Sequence, residues 1–248
     1  MVLFAFLFGL FWGSFLNVLA NRLPKGENVL WGRSHCDYCK RELRWYELIP
    51  LLSYLLQRGH CLRCKRQLSM QYPLIEFTTG LGFGILYSVL SISPVHLVAG
   101  IILFSAFLVI FTADVKYQII PDSMIIVGCL GTLLWLWQTG LPTLMIHTIS
   151  GIAAFFFFLS LWFITKKKGI GLGDVKLSPL LGFLLGYPET ILALYVAFLT
   201  GAAVGVILIL LGNKTMKSKI AFGPFLVLGT AIVIIFHAVS IQLWNTIF

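Results

Sequence analysis

Eight long apolar stretches, separated by short polar segments, make up most of the 248-residue chain. They cover residues 2–21, 73–92, 95–113, 122–138, 144–165, 175–187, 189–211 and 222–246. A helix needs roughly 20 apolar residues to cross a lipid bilayer, and all but the short sixth stretch approach that length. The pattern therefore predicts an all-α polytopic membrane protein with about eight transmembrane helices.

The composition supports this prediction, because 59% of the residues are hydrophobic and only 11% are charged. Soluble domains carry about 25% charged residues. The first stretch has the apolar run of a secretory signal peptide, but it lacks a basic leading region and a small-residue cleavage site. We therefore interpret residues 1–21 as a retained first transmembrane helix.

Residues 22–72 form a long polar segment that contains four of the five cysteines. Cys36 and Cys39 form one C-x-x-C pair, Cys61 and Cys64 form a second, and 21 residues lie between the two pairs. This spacing is typical of a four-thiolate zinc site, in which two knuckles complete a tetrahedron around the metal. Disulfides and a redox pair are the alternatives, but the reducing cytoplasm and the absence of a βαβ pattern argue against them.

A segment of about 50 residues is too small for a large hydrophobic core, so a bound metal can replace one. The sequence therefore predicts structural zinc and a small cytoplasmic zinc-knuckle domain over residues 22–72. Residues 73–248 then form a seven-helix membrane core. His35 and His60 each precede a cysteine, and we interpret them as neighbours of the metal site because four sulfurs already fill the shell.

The basic residues give an orientation. All 18 Lys and Arg residues lie within 22–66, at Lys116, within 166–176 and within 214–219. With eight spans these places follow spans one, three, five and seven, so they share one side of the membrane. The positive-inside rule assigns that side to the cytoplasm and both termini to the outside. Since topology accounts for the net charge of +9, we expect the lipid bilayer as a partner and no nucleic acid.

Four of the nine acidic residues lie at or near the predicted membrane boundary: Glu76, Asp114, Asp122 and Asp174. Acidic side chains are costly inside a bilayer and usually mark a functional site. Asp114 ends the third span and Asp174 begins the sixth, so the predicted topology brings both to the cytoplasmic face. They are 60 residues apart in sequence but can meet in a helical bundle.

Two aspartates that face each other in a partly dry site share one proton. The charged member can take a proton from water while the neutral member donates one to a peptide carbonyl, as in aspartic proteases. Gly171 and Gly173 are expected to give the backbone unusual angles that let a substrate strand approach. The pattern therefore indicates Asp114 and Asp174 as a candidate catalytic pair.

Structural explanations for the same acids remain open. Asp122 and Asp174 each fit the positive N-terminus of a helix. Lys116 and Lys176, each two residues after an acid, fit ion-pair partners or interfacial anchors. Glu76 fits a buried ion pair or a hydrogen bond into the bundle. Intramembrane acids also serve ion pathways.

Several motifs spread over nearly the whole chain resemble those of the type IV prepilin peptidases. They are the paired C-x-x-C motifs, GSFLNV (13–18), RLP (22–24), QYPLIE (71–76), IPD (120–122) and GLGDVK (171–176). The G-x-G-D element alone is shared with presenilin-like intramembrane proteases. Its combination with the zinc knuckles and the preceding aspartate in DVKYQIIPD is far more specific.

This resemblance implies that Asp114 and Asp174 are the catalytic aspartates of an endopeptidase in the cytoplasmic (inner) membrane. Its substrates would be type IV prepilins or pseudopilins of pilus, secretion or competence systems. The resemblance also implies N-methylation of the new N-terminus from S-adenosylmethionine, with residues 13–76 as the candidate region and unknown binding residues. The basic leader of such a substrate and the basic enzyme surface would repel each other, so acidic side chains such as Glu42 and Glu47 are expected to receive the leader.

Two other functional classes fit parts of the pattern. A transporter or channel with a zinc-stabilised cytoplasmic cap would use the acids to bind or relay ions, and it would show ion flux without peptide cleavage. A membrane scaffold would recruit partners through its zinc domain, and substitution of either aspartate would then be silent. The glycines of the G-x-G-D element favour the peptidase.

Overall fold

The computed structural model describes every residue except 30, 37, 138, 167–168, 213–220 and 237–248. Within these described residues the regular structure is helical, apart from two isolated antiparallel bridges inside the 22–72 segment. The α-helices are α1 (Val2–Arg22), α2 (Leu52–Leu56), α3 (Gln71–Leu90), α4 (Pro94–Tyr117), α5 (Asp122–Trp135), α6 (Leu141–Ile164), α7 (Leu172–Leu185), α8 (Glu189–Leu210) and α9 (Gly223–Ile235). Two 3₁₀ helices cover Leu23–Lys25 and Trp45–Leu48.

Each predicted apolar stretch coincides with one of the longer helices, so the all-α membrane fold is confirmed. Five helices in the described part are long and apolar enough to span a bilayer: Val2–Lys25, Gln71–Leu90, Pro94–Tyr117, Leu141–Ile164 and Glu189–Leu210. In contrast, α5, α7 and α9 have 14, 14 and 13 residues. A 14-residue helix is about 21 Å long, less than the roughly 30 Å of a hydrocarbon core. The number of eight spans therefore stays a prediction.

Several predicted features include positions outside the described residues. The basic cluster at 214–219 lies wholly outside them, and the eighth stretch does so from 237 to 246. Single positions are also outside: 30 and 37 of the 22–72 segment, 138 of the fourth stretch, and 167–168 of the basic cluster at 166–176.

The chain divides into two compact units, and the first covers Met1–Val109. Its helices α1 and α3 pack along their length, with Leu16 and Phe83 fully enclosed. Asn17 is buried in α1, and its Nδ2 donates to the Tyr72 carbonyl at 3.1 Å. Such a bond satisfies a polar group that would otherwise be costly at a helix interface.

The second unit covers residues 110–248, and its described part contains α5 to α9 and the last residues of α4. Helices α6 and α7 approach closely because Gly182 has no side chain. A Cβ atom there would lie 2.7 Å from the Gly151 Cα atom. Small residues commonly permit such approaches between helices in membranes. Helices α8 and α9 also pack together, as do α5 and α7.

Candidate active site and metal centre

The described residues around the two C-x-x-C pairs share two backbone features. The Cys36 amide donates to the Arg41 carbonyl at 2.9 Å, and the Cys61 amide donates to the Arg66 carbonyl at the same distance. The residue after each second cysteine has a positive φ angle: Lys40 (55°) and Lys65 (56°). The sequence explains this likeness, because HCDYCKR at 35–41 and HCLRCKR at 60–66 share five of seven residues.

The four thiols of Cys36, Cys39, Cys61 and Cys64 meet within 4.8 Å of one another. The Sγ atoms of Cys36 and Cys64 are 3.9 Å apart. Zn–S bonds of about 2.3 Å give a tetrahedron with edges of about 3.8 Å, so the donor set and its spacing fit a four-coordinate metal site.

The thiols of Cys36 and Cys61 differ in their pKa. Burial raises the pKa of Cys36 to about 11, whereas the Cys64 backbone amide lowers the pKa of Cys61 to about 6. A thiolate is the form that binds a metal, so the protons of the remaining thiols would leave on binding. The Nδ1 atoms of His35 and His60 lie near the carbonyl oxygens of Arg33 and Arg58, respectively. Among the described residues, the group that could hold a metal consists of the four cysteines.

Glu42 and Glu47 have different surroundings, which corrects one expectation. Glu47 is buried, forms an ion pair with Arg41, and accepts a hydrogen bond from the Arg44 amide at 2.8 Å. Its carboxylate therefore stabilises the segment that carries the four cysteines and is not exposed to a substrate leader. Glu42 is exposed and lies 3.1 Å from Arg33.

Glu76 occupies the second turn of α3 and is buried. Its Oε2 accepts a hydrogen bond from the Leu51 amide at 2.9 Å, and the Ser14 side chain also bonds to it. Of the two alternatives open for this residue, the hydrogen bond is thus correct. Glu76 ties the polar segment to the helix pair of the first unit.

Asp114 lies in the last turn of α4 with 5% of its surface exposed. The backbone amide of Gly223, the first residue of α9, interacts with its carboxylate, although Oδ2 has no partner in hydrogen-bond geometry among the described residues. The first amides of a helix lack partners within the helix and carry a partial positive charge. The start of α9 is therefore suited to hold a negative carboxylate.

Asp174 is the third residue of α7 and is 6% exposed. Its Oδ2 accepts the Gly171 amide at 3.2 Å, so Asp174 caps the helix that carries it. The negative charge of Asp114 also acts on Asp174. The fold thus brings the two sequence-predicted aspartates together within the second unit.

The glycines around Asp174 do not have the predicted backbone. Gly171 has φ −74° and ψ 148°, and Gly173 lies inside α7, so neither adopts angles reserved for glycine. The expectation of irregular backbone was wrong. Gly173 instead provides space, because a Cβ atom there would lie 3.2 Å from two carbons of Ile120.

Asp122 begins α5, as predicted for a helix N-terminus, but it also has a partner. Both of its carboxylate oxygens accept a hydrogen bond from Lys176 Nζ at 2.9 Å. Lys176 therefore pairs with Asp122 rather than with Asp174, two residues before it. The pair is exposed, in contrast to Asp114 and Asp174.

Sequence reasoning did not single out Gly223. A Cβ atom on Gly223 would lie 2.6 Å from Asp114 Oδ2 and 3.1 Å from Ile120 Cδ1. Glycine has no functional group, so its role becomes visible only when the neighbouring side chains are placed.

Comparison with known proteins gives two matches to protein-family models. The model described as bacterial peptidase A24 N-terminal domain matches residues 7–90, and that of the type IV leader peptidase family matches residues 101–206. No solved structure gives a significant match.

Three curated relatives illustrate the similarity, and each is named prepilin leader peptidase/N-methyltransferase. The Bacillus subtilis protein is 30% identical, with 91% of this chain and 90% of the relative covered. The Klebsiella pneumoniae protein is 34% identical over 76% of this chain and 88% of the relative. The Pseudomonas aeruginosa protein is 32% identical over 92% and 88%, respectively.

Proposed function

The chain belongs to the type IV leader peptidase family, and we propose that it cleaves the leader from type IV prepilins and N-methylates the new N-terminus, with Asp114 and Asp174 as its catalytic pair. The observation that carries this assignment is the pair itself. Two buried carboxylates from α4 and α7 interact electrostatically within one compact unit. Family membership favours this reading over a transporter or a scaffold.

The chemistry needs one aspartate ionised and the other protonated, and close burial of two carboxylates favours a single shared proton. The ionised aspartate takes a proton from water as the water oxygen attacks the scissile carbonyl carbon. The protonated aspartate gives its proton to the carbonyl oxygen. The tetrahedral intermediate then collapses: the newly protonated aspartate gives its proton to the amide nitrogen, which leaves as an amine. The other aspartate, now ionised, takes back a hydroxyl proton as the C=O bond of the carboxyl product forms, which restores the pair.

Mass spectrometry of a prepilin substrate tests both activities together. Purified protein in lipid nanodiscs, given substrate and S-adenosylmethionine, should release the leader and add one methyl group to the new N-terminus. Cleavage without methylation would contradict the second activity alone. An intact substrate, with correctly folded protein, would contradict the proposed function.

Gly223 provides a more selective test of the site. Gly223→Ala should push the Asp114 carboxylate aside, and a displacement of about 1 Å can reduce turnover about 100-fold. We expect kcat for leader cleavage to fall by about 10- to 100-fold with little change in KM. The assay is steady-state cleavage of a fluorogenic prepilin peptide.

Gly140→Ala is a matched control in the same unit. The nearest atom to a Cβ there is Pro142 Cδ at 3.6 Å, an ordinary contact. This variant should retain wild-type kcat. Equal kcat in both variants, at equal melting temperature, would remove Gly223 from the site.

The metal centre completes the proposal. We propose that Cys36, Cys39, Cys61 and Cys64 hold a structural zinc ion, which would supply stability and no chemistry. S-adenosylmethionine is proposed as the methyl donor because it carries an activated methyl group for the free amine. We assign no residue to its binding.

The arrangement in the membrane is also part of the proposal. Residues 1–21 would form the first span, residues 22–72 a cytoplasmic zinc-knuckle domain, and residues 73–248 the peptidase core. The distribution of Lys and Arg supports a cytoplasmic zinc domain with both termini outside. The prepilin would then present its basic leader on the cytoplasmic side and its apolar helix in the inner membrane.

A further inference from the structure

The short helix α2 exposes an apolar face. Its leucines share one side of the helix because they are spaced i, i+3 and i+4, at Leu52, Leu55 and Leu56. Leu55 is 70% exposed and Leu56 is 81% exposed. On the other side of α2, the Tyr54 hydroxyl bonds to the Leu68 carbonyl and turns toward the polar segment. The helix is therefore fixed with its leucines outward.

A large exposed aromatic side chain lies on the short helix next to α2. The 3₁₀ helix Trp45–Leu48 packs against α2, and Trp45 is 78% exposed. Arg44 and Arg58 flank the two helices and are exposed as well. Tryptophan and arginine beside exposed leucines are the composition of a helix that lies in a membrane surface.

The position of α2 relative to the bilayer follows from Glu76. The Leu51 amide, directly before α2, donates to the carboxylate of Glu76. Glu76 is the sixth residue of α3, a helix long and apolar enough to span the membrane. With a rise of about 1.5 Å per residue, Glu76 lies about 7 Å along α3 from its first residue. The beginning of α2 is thus held at the level where α3 enters the bilayer.

We propose that α2 and Trp45 form an interfacial anchor that inserts into the lipid headgroup region and holds the zinc-knuckle domain against the membrane. Lipid is the occupant that these observations favour. The leucine face starts at the level set by Glu76, and the exposed Arg44 and Arg58, which precede and follow the two helices in sequence, suit anionic headgroups. This surface is independent of the peptidase assignment. It depends only on α3 being a membrane span.

Depth-dependent quenching tests the anchor. A fluorescent coumarin amino acid is introduced at Leu55 of the full-length protein by amber suppression, which leaves the metal-binding cysteines untouched. The protein is placed in nanodiscs of phosphatidylcholine and phosphatidylglycerol with or without bromine near the start of the acyl chains. An interfacial helix lies about 5–10 Å into the headgroup boundary, so we expect quenching by about half or more.

Lys65, an exposed residue of the second knuckle, is the matched label position and should show little quenching. A second variant adds Leu52→Ser and Leu56→Ser to the Leu55 label, and quenching should then fall toward the Lys65 value while the zinc content stays unchanged. Equal quenching at the two label positions in the otherwise unaltered protein would overturn the proposal. A Leu55 label that the brominated lipid does not quench, and whose emission shows burial against a second polypeptide, would overturn the lipid anchor and assign the face to a protein partner.

Discussion

Asn in place of Asp174 is expected to abolish leader cleavage, with a loss of at least about 100- to 10,000-fold in kcat, the range for a general acid–base group. Asparagine has nearly the same shape, yet it can neither take a proton from water nor give one to a carbonyl oxygen. The same substitution at Asp114 should be equally damaging, because the proposed reaction needs both members of the pair. The measurement is initial-rate cleavage of a purified prepilin at equal enzyme concentration.

Loss of stability should not explain this result. Both side chains are buried and the proposed pair carries a single charge, so a neutral asparagine of nearly the same shape adds no buried charge. Its side-chain oxygen can also accept the Gly171 amide that Asp174 accepts. We therefore expect the asparagine variants to melt no lower than the wild-type protein. A variant that loses both activity and folded structure would not count as support. In that case a Glu substitution at the same position gives a second test, because it keeps the acid but moves the carboxyl group away from its place in the pair.

Asp122→Asn is the matched control for this experiment. Asp122 is also an aspartate near the membrane boundary, but it is exposed and paired with Lys176. An exposed ion pair contributes only about 0.2–1 kcal/mol, so this variant should retain near wild-type cleavage. Full activity of either Asp114→Asn or Asp174→Asn would refute the catalytic pair. Loss of activity in all three variants would mean that cleavage depends on the acidic residues of this region in general and not on a specific pair.

The sequence was most informative where chemistry and pattern coincide. The apolar stretches predicted every longer helix, because a run of apolar residues of that length has few alternatives to a helix in lipid. The two C-x-x-C pairs predicted a four-cysteine cluster, because cysteine has few other reasons to occur at that spacing. The G-x-G-D element likewise singled out Asp174, because an acidic residue is rarely placed at a membrane boundary without a function.

Tertiary packing explains what the sequence left out. Gly223 lies against Asp114 although 109 residues separate them, and a glycine in the sequence gives no signal of such a contact. The partner of Lys176 was also hidden, because Asp174 is nearer in sequence while Asp122 is reached only through the α5–α7 contact. Glycines 171 and 173 gave a misleading signal, since glycine can serve either an unusual φ angle or a close approach, and composition does not separate the two.

Removal of the metal is the other change with a large expected effect. Cys61→Ser should abolish zinc binding and unfold residues 22–72, since structural zinc contributes about 10–16 kcal/mol in small domains that lack a large core. Protease sites within this segment should then become accessible in the intact membrane-embedded protein. Metal analysis should show that the zinc content falls from about one ion per chain to less than half of that.

The fifth cysteine offers a matched control. Cys129 lies in α5 and is not part of the four-thiol cluster, so Cys129→Ser should retain both the zinc and the protease resistance. In the Cys61 variant, the membrane helices should still insert, because apolar stretches and not the metal drive their insertion. Methylation should therefore decline more than insertion does. A Cys61→Ser protein that keeps one zinc ion and a protease-resistant 22–72 segment would show that these four thiols are not the metal site, and the small domain would then need another source of stability.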